Sequence, residues 1–216
     1  MAYISLFDIK QELVVFLRNQ DILSISERGV STTTDNFTAA GGVKTFTLTN
    51  TNAKNIRSVE VNSSEINFGS DYSVDYTTAI VSIPSVNDGD TVDIEYDYGN
   101  NDRIFPDYPQ PYTKLSQFPR VGFDIISART REVDIGAASN TTFYTVSMSC
   151  YDRSQQNVEE LVATLREKIM DNKKNFYNFT FITPVTMSPL IVSPFGQDKI
   201  MQRSHDFEIW VVLEQG

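Results

Sequence analysis

The chain has 216 residues and a mass of 24.4 kDa, and its 18 Lys and Arg stand against 28 Asp and Glu, which gives a net charge of −10. This length can hold two small domains, each with its own core. The acidic balance argues against a free-standing nucleic-acid binder, because such proteins normally carry a basic face. No apolar stretch approaches the ~18 residues of a membrane span, and residues 1–19 carry charges inside their apolar pattern, so we expect cytoplasmic synthesis and no membrane anchor.

The residue types that usually carry catalysis or hold metals are scarce. Cys150 is the single cysteine and His205 the single histidine, so the usual zinc ligand sets cannot be completed and Cys/His catalysis is not expected. Neither a nucleophile elbow nor a glycine-rich phosphate loop at a helix start occurs. We therefore predict no enzyme activity, no cofactor and no metal site, with Cys150 in a strand core and His205 in a structural or interface role.

The first predicted element is an amphipathic helix. Ser5 and Asp8 have the spacing of a capping box, and one face carries a regular apolar stripe of Leu6, Ile9, Leu13, Phe16 and Leu17. The pattern ends near Arg18 to Gln20. Such stripes mostly pack against the core of their own domain.

From Val30 to Gly99 the period changes from helical to alternating. The stretches 43–49, 56–61 and 91–96 place apolar residues on one face and polar residues on the other, and they are rich in β-branched and aromatic types. Turn residues such as Gly41-Gly42 and Asn87 to Asp90 separate them. Six or seven short antiparallel strands at this spacing predict a small sandwich or barrel, and the stretch 69–98 resembles a β module of viral structural proteins.

The block of residues 30–99 is also the acidic part of the chain. It holds ten acidic and three basic residues, a net charge of −7, whereas the rest holds 18 and 15, a net charge of −3. The acidic residues lack the loop pattern of a calcium site, so we interpret them as a solvated face. Glycan binding would use exposed aromatics on this block, and Tyr72, Tyr76, Tyr96 and Tyr98 could serve, although their strand positions favour a core role.

Residues 100–117 are rich in Pro, Tyr and Asp and are typical of an extended linker or packed arm. Two strands follow, at 118–126 and 142–151. Between them, Arg129 to Asn140 is longer than a tight turn requires, and long loops between well-formed strands often bind partners. We therefore predict a hairpin loop that contacts neighbouring molecules.

The strongest predicted helix follows a cap at Asp152 or Ser154, and its apolar stripe consists of Val158, Leu161, Val162, Leu165 and Ile169. Strands are then predicted at 177–183, 190–193 and 204–213. The last one alternates His205, Phe207, Ile209, Val211 and Leu213 against Asp206, Glu208, Trp210 and Val212. Trp210 is expected either to fill a corner of the core or to anchor a subunit contact.

Together these elements predict an α+β fold: an antiparallel sheet with two helices, formed by residues 1–29 and 101–216 and interrupted by an all-β insert at 30–100. Three stretches, Phe118 to Val121, Tyr144 to Arg153 and Asn157 to Ile169, resemble the tail terminator (tail completion) proteins of long-tailed viruses. The shared features are a Phe-Pro strand start, a strand closing on a polar Asp-containing turn, and the striped helix after it. The acidic insert departs from the minimal family pattern.

The resemblance implies a virion structural protein at the head-proximal end of the tail, assembled in the host cytoplasm. Such proteins form a homo-oligomeric ring, usually of six subunits, which caps the tail tube and meets the head-tail connector. DNA would pass through the lumen without specific binding, since phosphate binding needs cations. The candidate contacts with neighbours or the tube are Arg129, Arg131, Glu132, Asp134 and Trp210. A tail-tube subunit, a head-tail adaptor and a glycan- or host-surface-binding protein remain the alternatives.

Overall fold

The structure is a computed structural model that describes residues 6–100, 102–106, 117–132, 139–195 and 198–214. The chain divides into two compact units, Met1–Leu23 with Arg103–Gly216 (unit 1) and Ser24–Asp102 (unit 2). The described residues contain both helices and largely antiparallel sheets, which confirms the mixed helix and sheet content predicted from sequence. No helix in this part of the chain is long and apolar enough to span a membrane.

The described residues of unit 1 form two helices, α1 (Leu6–Asn19) and α3 (Gln155–Asp171), and the short helix α2 (Ile25–Arg28) belongs to unit 2. The described strands of unit 1 are β8 (Ile104–Pro106), β9 (Arg120–Glu132), β10 (Ser139–Asp152), β11 (Phe181–Met187), β12 (Ile191–Phe195) and β13 (Asp198–Glu214). They form one sheet in the order β11-β13-β10-β9-β8, and β12 also pairs with β13. The pairing is antiparallel except between β8 and β9.

The core of unit 1 forms because both helices direct their apolar stripes at one face of this sheet. Residues of α1 (Ile9, Leu13), α3 (Leu165) and the strands (Met148, Phe207) belong to a single buried cluster. Cys150 lies in the same cluster, and burial raises the pKa of its thiol, so it is a core residue. The cap of α3 is Ser154, whose hydroxyl accepts from the Asn157 N–H. The apolar stripes of both predicted helices are therefore confirmed except at Leu6, which is 48% exposed, while Ser5 lies outside the described residues.

Glu12 joins α1 to the segment that follows α3. Its carboxylate accepts hydrogen bonds from the backbone N–H groups of Tyr177 and, at 2.8 Å, Asn178. Burial raises the pKa of Glu12, and the two backbone donors partly offset that effect. A buried carboxylate on the apolar side of α1 is tolerated because both of its oxygens have donors.

One boundary prediction in unit 1 is wrong. Residues 129–132 and 139–140 of the expected loop are strand residues, since β9 and β10 pair up to Glu132↔Asn140. The stretch 100–117, predicted as an extended linker or packed arm, contains strand β8, in which Ile104 is fully buried and Phe105 pairs in parallel with Gly122. Residues 107–116 of that linker lie outside the described part of the chain.

Unit 2 contains α2 and the strands β1 (Ser31–Thr38), β2 (Thr45–Thr47), β3 (Ala53–Val61), β4 (Ser64–Glu65), β5 (Ser73–Asp75), β6 (Ile80–Ser82) and β7 (Thr91–Tyr98). They form two sheets, β1-β7-β3-β4 and β2-β6-β5. Both sheets contribute to one buried cluster, in which Phe46, Val81 and Val92 take part. Helix α2 is closed by a Ser24 and Glu27 capping box and by Gly29 at φ 74°, and it was not predicted.

A buried ionic group holds α2 to the rest of unit 2. Arg28, with an exposed fraction of 0%, donates to Asp97 at 2.6 Å and to Asp102 at 2.5 Å. Asp97 also accepts from Arg57 at 2.6 Å and from the Thr32 hydroxyl at 2.8 Å. Although burial opposes its ionisation, these donors hold the pKa of Asp97 below its usual value. Its carboxylate is therefore charged and paired.

We predict that Asp97→Asn lowers the free energy of unfolding by about 3–5 kcal/mol at neutral pH, because it breaks a buried ion pair and leaves the guanidinium groups undercompensated. A depressed carboxyl pKa stabilises the fold above the unfolded-state value of about 3.9, and that stabilisation is lost as the pH falls through the folded-state value. The difference between wild type and Asp97→Asn should therefore shrink under acid.

The measurement is urea denaturation at several pH values followed by far-UV circular dichroism. Asp93→Asn is the matched control, because Asp93 lies on the same strand with its side chain half-exposed. It stands opposite Glu60, so we expect the substitution to leave stability unchanged or to raise it by no more than about 0.5 kcal/mol. Equal effects of the two substitutions would contradict the assigned role of Asp97.

Candidate interaction surface

The sheet of unit 1 carries aromatic and cationic side chains on the face away from the helices. Alternation along a strand sends successive side chains to opposite faces, so the burial of Ile209 and Val211 turns Trp210 outward. The strand registers then bring Phe181, Trp210, Phe143 and Arg129 into one line across β11, β13, β10 and β9. We call these four residues, together with Arg131, the aromatic-cation row.

The members of the aromatic-cation row contact one another. The Trp210 ring lies edge-on to Phe143 at 5.2 Å and to Phe181 at 5.8 Å between centroids. The guanidinium carbons of Arg129 and Arg131 lie 5.1 Å and 5.9 Å from the centre of the Phe143 ring, within the range of cation-π attraction. The row is thus a packed group of three rings with two cations at one end.

Glu208 fixes the orientation of two members of the row. Its carboxylate accepts from the Trp210 indole N–H at 3.1 Å and pairs with the Arg129 guanidinium. Even so, the Arg129 side chain is 56% exposed and Trp210 is 38% exposed. Large aromatics and arginines that are pre-oriented yet exposed are the residue types that dominate protein interfaces.

The row lies beside an open sheet edge. Strand β8 pairs with β9 only from Val121 to Phe123, so within the described residues the outer edge of β9 has no strand neighbour from Asp124 to Glu132. All side chains from Ile126 to Arg131 are exposed. An unpaired edge presents free N–H and C=O groups and is a template for pairing with another chain. The opposite edge, β11, contains Pro184, which cannot donate.

Beyond the row, the same face of the sheet is small and polar. Side-chain hydrogen bonds link Ser149 to Ser204 at 2.6 Å and Ser127 to Thr145 at 2.9 Å across neighbouring strands. These short side chains are therefore bonded to one another, and Ser149 is fully buried. Within the described ranges, no group of three or more His, Cys, Asp or Glu side chains is arranged to hold a metal ion.

The structure brings together three of the five residues predicted for the interface, Arg129, Arg131 and Trp210. Glu132 is the last residue of β9, its side chain falls outside the described part, and Asp134 lies wholly outside it. Phe143, Phe181 and Glu208 also belong to this surface and were not predicted from the sequence. Phe143 lies among Thr and Ser residues on the polar face of β10. A large aromatic at such a position indicates an exposed contact residue, and this was the sequence pattern from which it could have been predicted.

The remaining candidate residues are buried or half-buried. His205 is buried against Phe207, with its ring 4.6 Å from the Phe ring, and burial together with Arg166 lowers its pKa, so it is neutral near pH 7. Tyr72 and Tyr96 are buried in the core of unit 2, and Tyr76 and Tyr98 pack against it. These four tyrosines do not form an exposed aromatic platform of the kind glycan binding needs.

Neither models of known protein families nor curated proteins match this chain.

We predict that the pairing of Arg129 with Glu208 contributes little to folding. In a double-mutant cycle of Arg129→Ala and Glu208→Ala, the coupling energy should be about 0.2–1 kcal/mol, as for other solvent-exposed ion pairs. Urea denaturation measures it, and Trp210, the single tryptophan, gives a fluorescence signal from within the row. A coupling energy near that of a buried pair would mean that the row is a folding element and not a free surface.

Proposed function

We propose that this chain is a structural protein of a virus tail, which forms a ring that caps the tail tube and joins it to the head connector. In this proposal unit 1 carries the shared assembly work, and residues 30–100 form an accessory all-β insert. The observation that carries the proposal is the open edge of β9 beside the aromatic-cation row. Such a surface is suited to contacts between subunits, and the sequence resemblance to tail terminators supplies the kind of assembly.

The order of elements in unit 1 agrees with that resemblance. A helix (α1) is followed, after the insert, by a long hairpin (β9 and β10), a striped helix (α3) and returning strands that end in β13. The helices occupy one face of the sheet, which leaves the other face and one edge for neighbours. A ring of identical subunits needs two different surfaces per subunit that fit each other, and an open edge with an exposed row can supply one of them.

The charge of the chain fits a passage for DNA. The net charge of −10 disfavours tight binding to phosphates, whose neutralisation by Lys and Arg drives non-specific DNA affinity. DNA could therefore pass through the ring without being held. The same charge is compatible with a tail-tube subunit or a head-tail adaptor, and copy number and position in the particle distinguish these roles.

We expect Trp210→Ala to raise the concentration needed for self-association by about 30-fold or more, the effect of losing an interface residue worth 2 kcal/mol. Analytical ultracentrifugation of the purified protein measures the change. Tyr177→Ala is the matched control, because Tyr177 is an aromatic of the same unit that is 63% exposed and lies outside the row. Equal weakening by both substitutions would argue against the row as an assembly surface.

The proposal as a whole is tested by electron microscopy of the purified protein at high concentration and of virions labelled with antibody against it. We expect closed rings and a single label at the head-proximal end of the tail. Labels along the whole tail would indicate a tube subunit instead, and the absence of rings in both preparations would overturn the proposal.

A further inference from the structure

A second charged surface lies on unit 2. In the sheet β1-β7-β3-β4, Glu65 pairs with Glu60 and Glu60 with Asp93 in direct register across β4, β3 and β7. Asp93 and Glu95 lie on the face opposite the buried Val92 and Ile94, so they point away from the core. We call Glu60, Glu65, Asp93 and Glu95 the acidic row.

The acidic row differs from the other carboxylates of this part of the chain. Six of the ten acidic residues between Val30 and Gly99 accept hydrogen bonds within unit 2, namely Asp35, Asp71, Asp75, Asp88, Asp90 and Asp97. The other four make up the acidic row, and in the described structure none of them has a hydrogen-bond donor or a cation partner. The unpaired carboxylates of this block are thus gathered on one face.

Like charges directly opposite each other on neighbouring strands destabilise a sheet. Glu65, Glu60 and Asp93 form two such pairs in succession, and no ion pair between described residues compensates them. The aromatic-cation row of unit 1 has the complementary character, because Arg131 has no carboxylate partner among the described residues and Lys173 lies 5.8 Å from the Phe181 ring at its other end. One row therefore lacks cations and the other offers them.

We propose that the acidic row of one copy of this chain binds the aromatic-cation row of a second copy. Arg129 and Arg131 would pair with the carboxylates, and the rings of Trp210 and Phe143 would shield these pairs from water. Each copy carries both rows and the two rows differ, so the contact can repeat from copy to copy. This inference rests on the proposed function only for the closure of such contacts into a ring.

The test uses charge reversal on the full chain. Variant A carries Arg129→Glu and Arg131→Glu, and variant B carries Glu60→Lys, Glu65→Lys and Asp93→Lys. In either variant alone the two rows have the same sign, so self-association measured by analytical ultracentrifugation should weaken by about tenfold or more. In an equimolar mixture, the reversed aromatic-cation row of variant A can bind the reversed acidic row of variant B, and the unchanged rows can bind each other. Assembly should then return to about the wild-type level.

Two control variants separate this contact from a general effect of net charge. Lys174→Glu with Lys199→Glu matches the charge change of variant A, and Glu167→Lys with Asp171→Lys adds positive charge as variant B does; all four of these residues are exposed and lie outside both rows. Circular dichroism of every variant checks the fold. Wild-type association should also weaken as salt rises, because the contact is electrostatic.

The outcomes separate the contact from the proposed function. If the wild type assembles and variants A and B assemble equally well, the contact is wrong and the ring stands. If A and B are impaired and their mixture stays impaired, the two rows do not meet, which also overturns the contact. If charge reversal behaves as expected but the assembly contains only two copies, the contact is right and the ring is wrong. A wild type that is monomeric at every concentration contradicts both.

Discussion

The fold of unit 1 and its exposed surface both depend on the ladder between β10 and β13. These strands pair over 14 consecutive positions, from Ser139↔Glu214 to Asp152↔Met201, without a shift in register. Because side chains alternate between faces, a slip of one residue would move the whole apolar set of a strand to the wrong side. The ladder thus decides at once that Met148 and Phe207 face the helices and that Phe143 and Trp210 face outward.

The same constraint explains why the aromatic-cation row can exist on a stable fold. The apolar faces of α1 and α3 and the helix-facing residues of three long strands form the buried core of unit 1. The residues on the other face of the sheet are therefore not needed for that core. Strand β9 then continues past its last neighbour on the β8 side and carries Arg129 and Arg131 to an exposed edge. In unit 2 most strands are shorter than those of unit 1. There the buried ion pairs of Arg28 with Asp97 and Asp102 connect α2 to strand β7 and to the residues that follow it.

The sequence predicted those elements in which burial is one-sided. The helices α1 and α3 and the strands β10 and β13 each bury one face, which leaves a clear period in the order of apolar residues. The end of β9 shows no such period, because Ile126 to Arg131 are exposed on both faces. In addition, a β-bulge shifts the register of β9 opposite Thr145 and Val146. The extra residue of this bulge reverses which side chains face the core, so the sequence pattern is that of a loop.

Contacts between residues far apart in sequence could not be predicted from the sequence. Arg28 lies 69 residues from Asp97 and 74 from Asp102, and no local pattern shows that an arginine at the end of a one-turn helix is buried. For the same reason only part of the candidate surface could be predicted. Arg129, Arg131 and Trp210 could be chosen by residue type. The role of Phe143, Phe181 and Glu208 follows only from the registers that align four strands.

Sheet registers also account for how both charged rows arise. In each unit a line of residues crosses neighbouring strands at matched positions, so side chains that are separate in sequence become one surface. A chain that folded only for its own stability would place opposite charges along such a line, as it does for Asp97 with Arg28 and Arg57. Here four unpaired carboxylates lie together on one sheet, and two arginines lie beside Phe143 and Trp210 on the other. Repulsion among the carboxylates costs unit 2 some stability in isolation, and both surfaces are suited to a partner of opposite charge, which is the condition for specific assembly between copies.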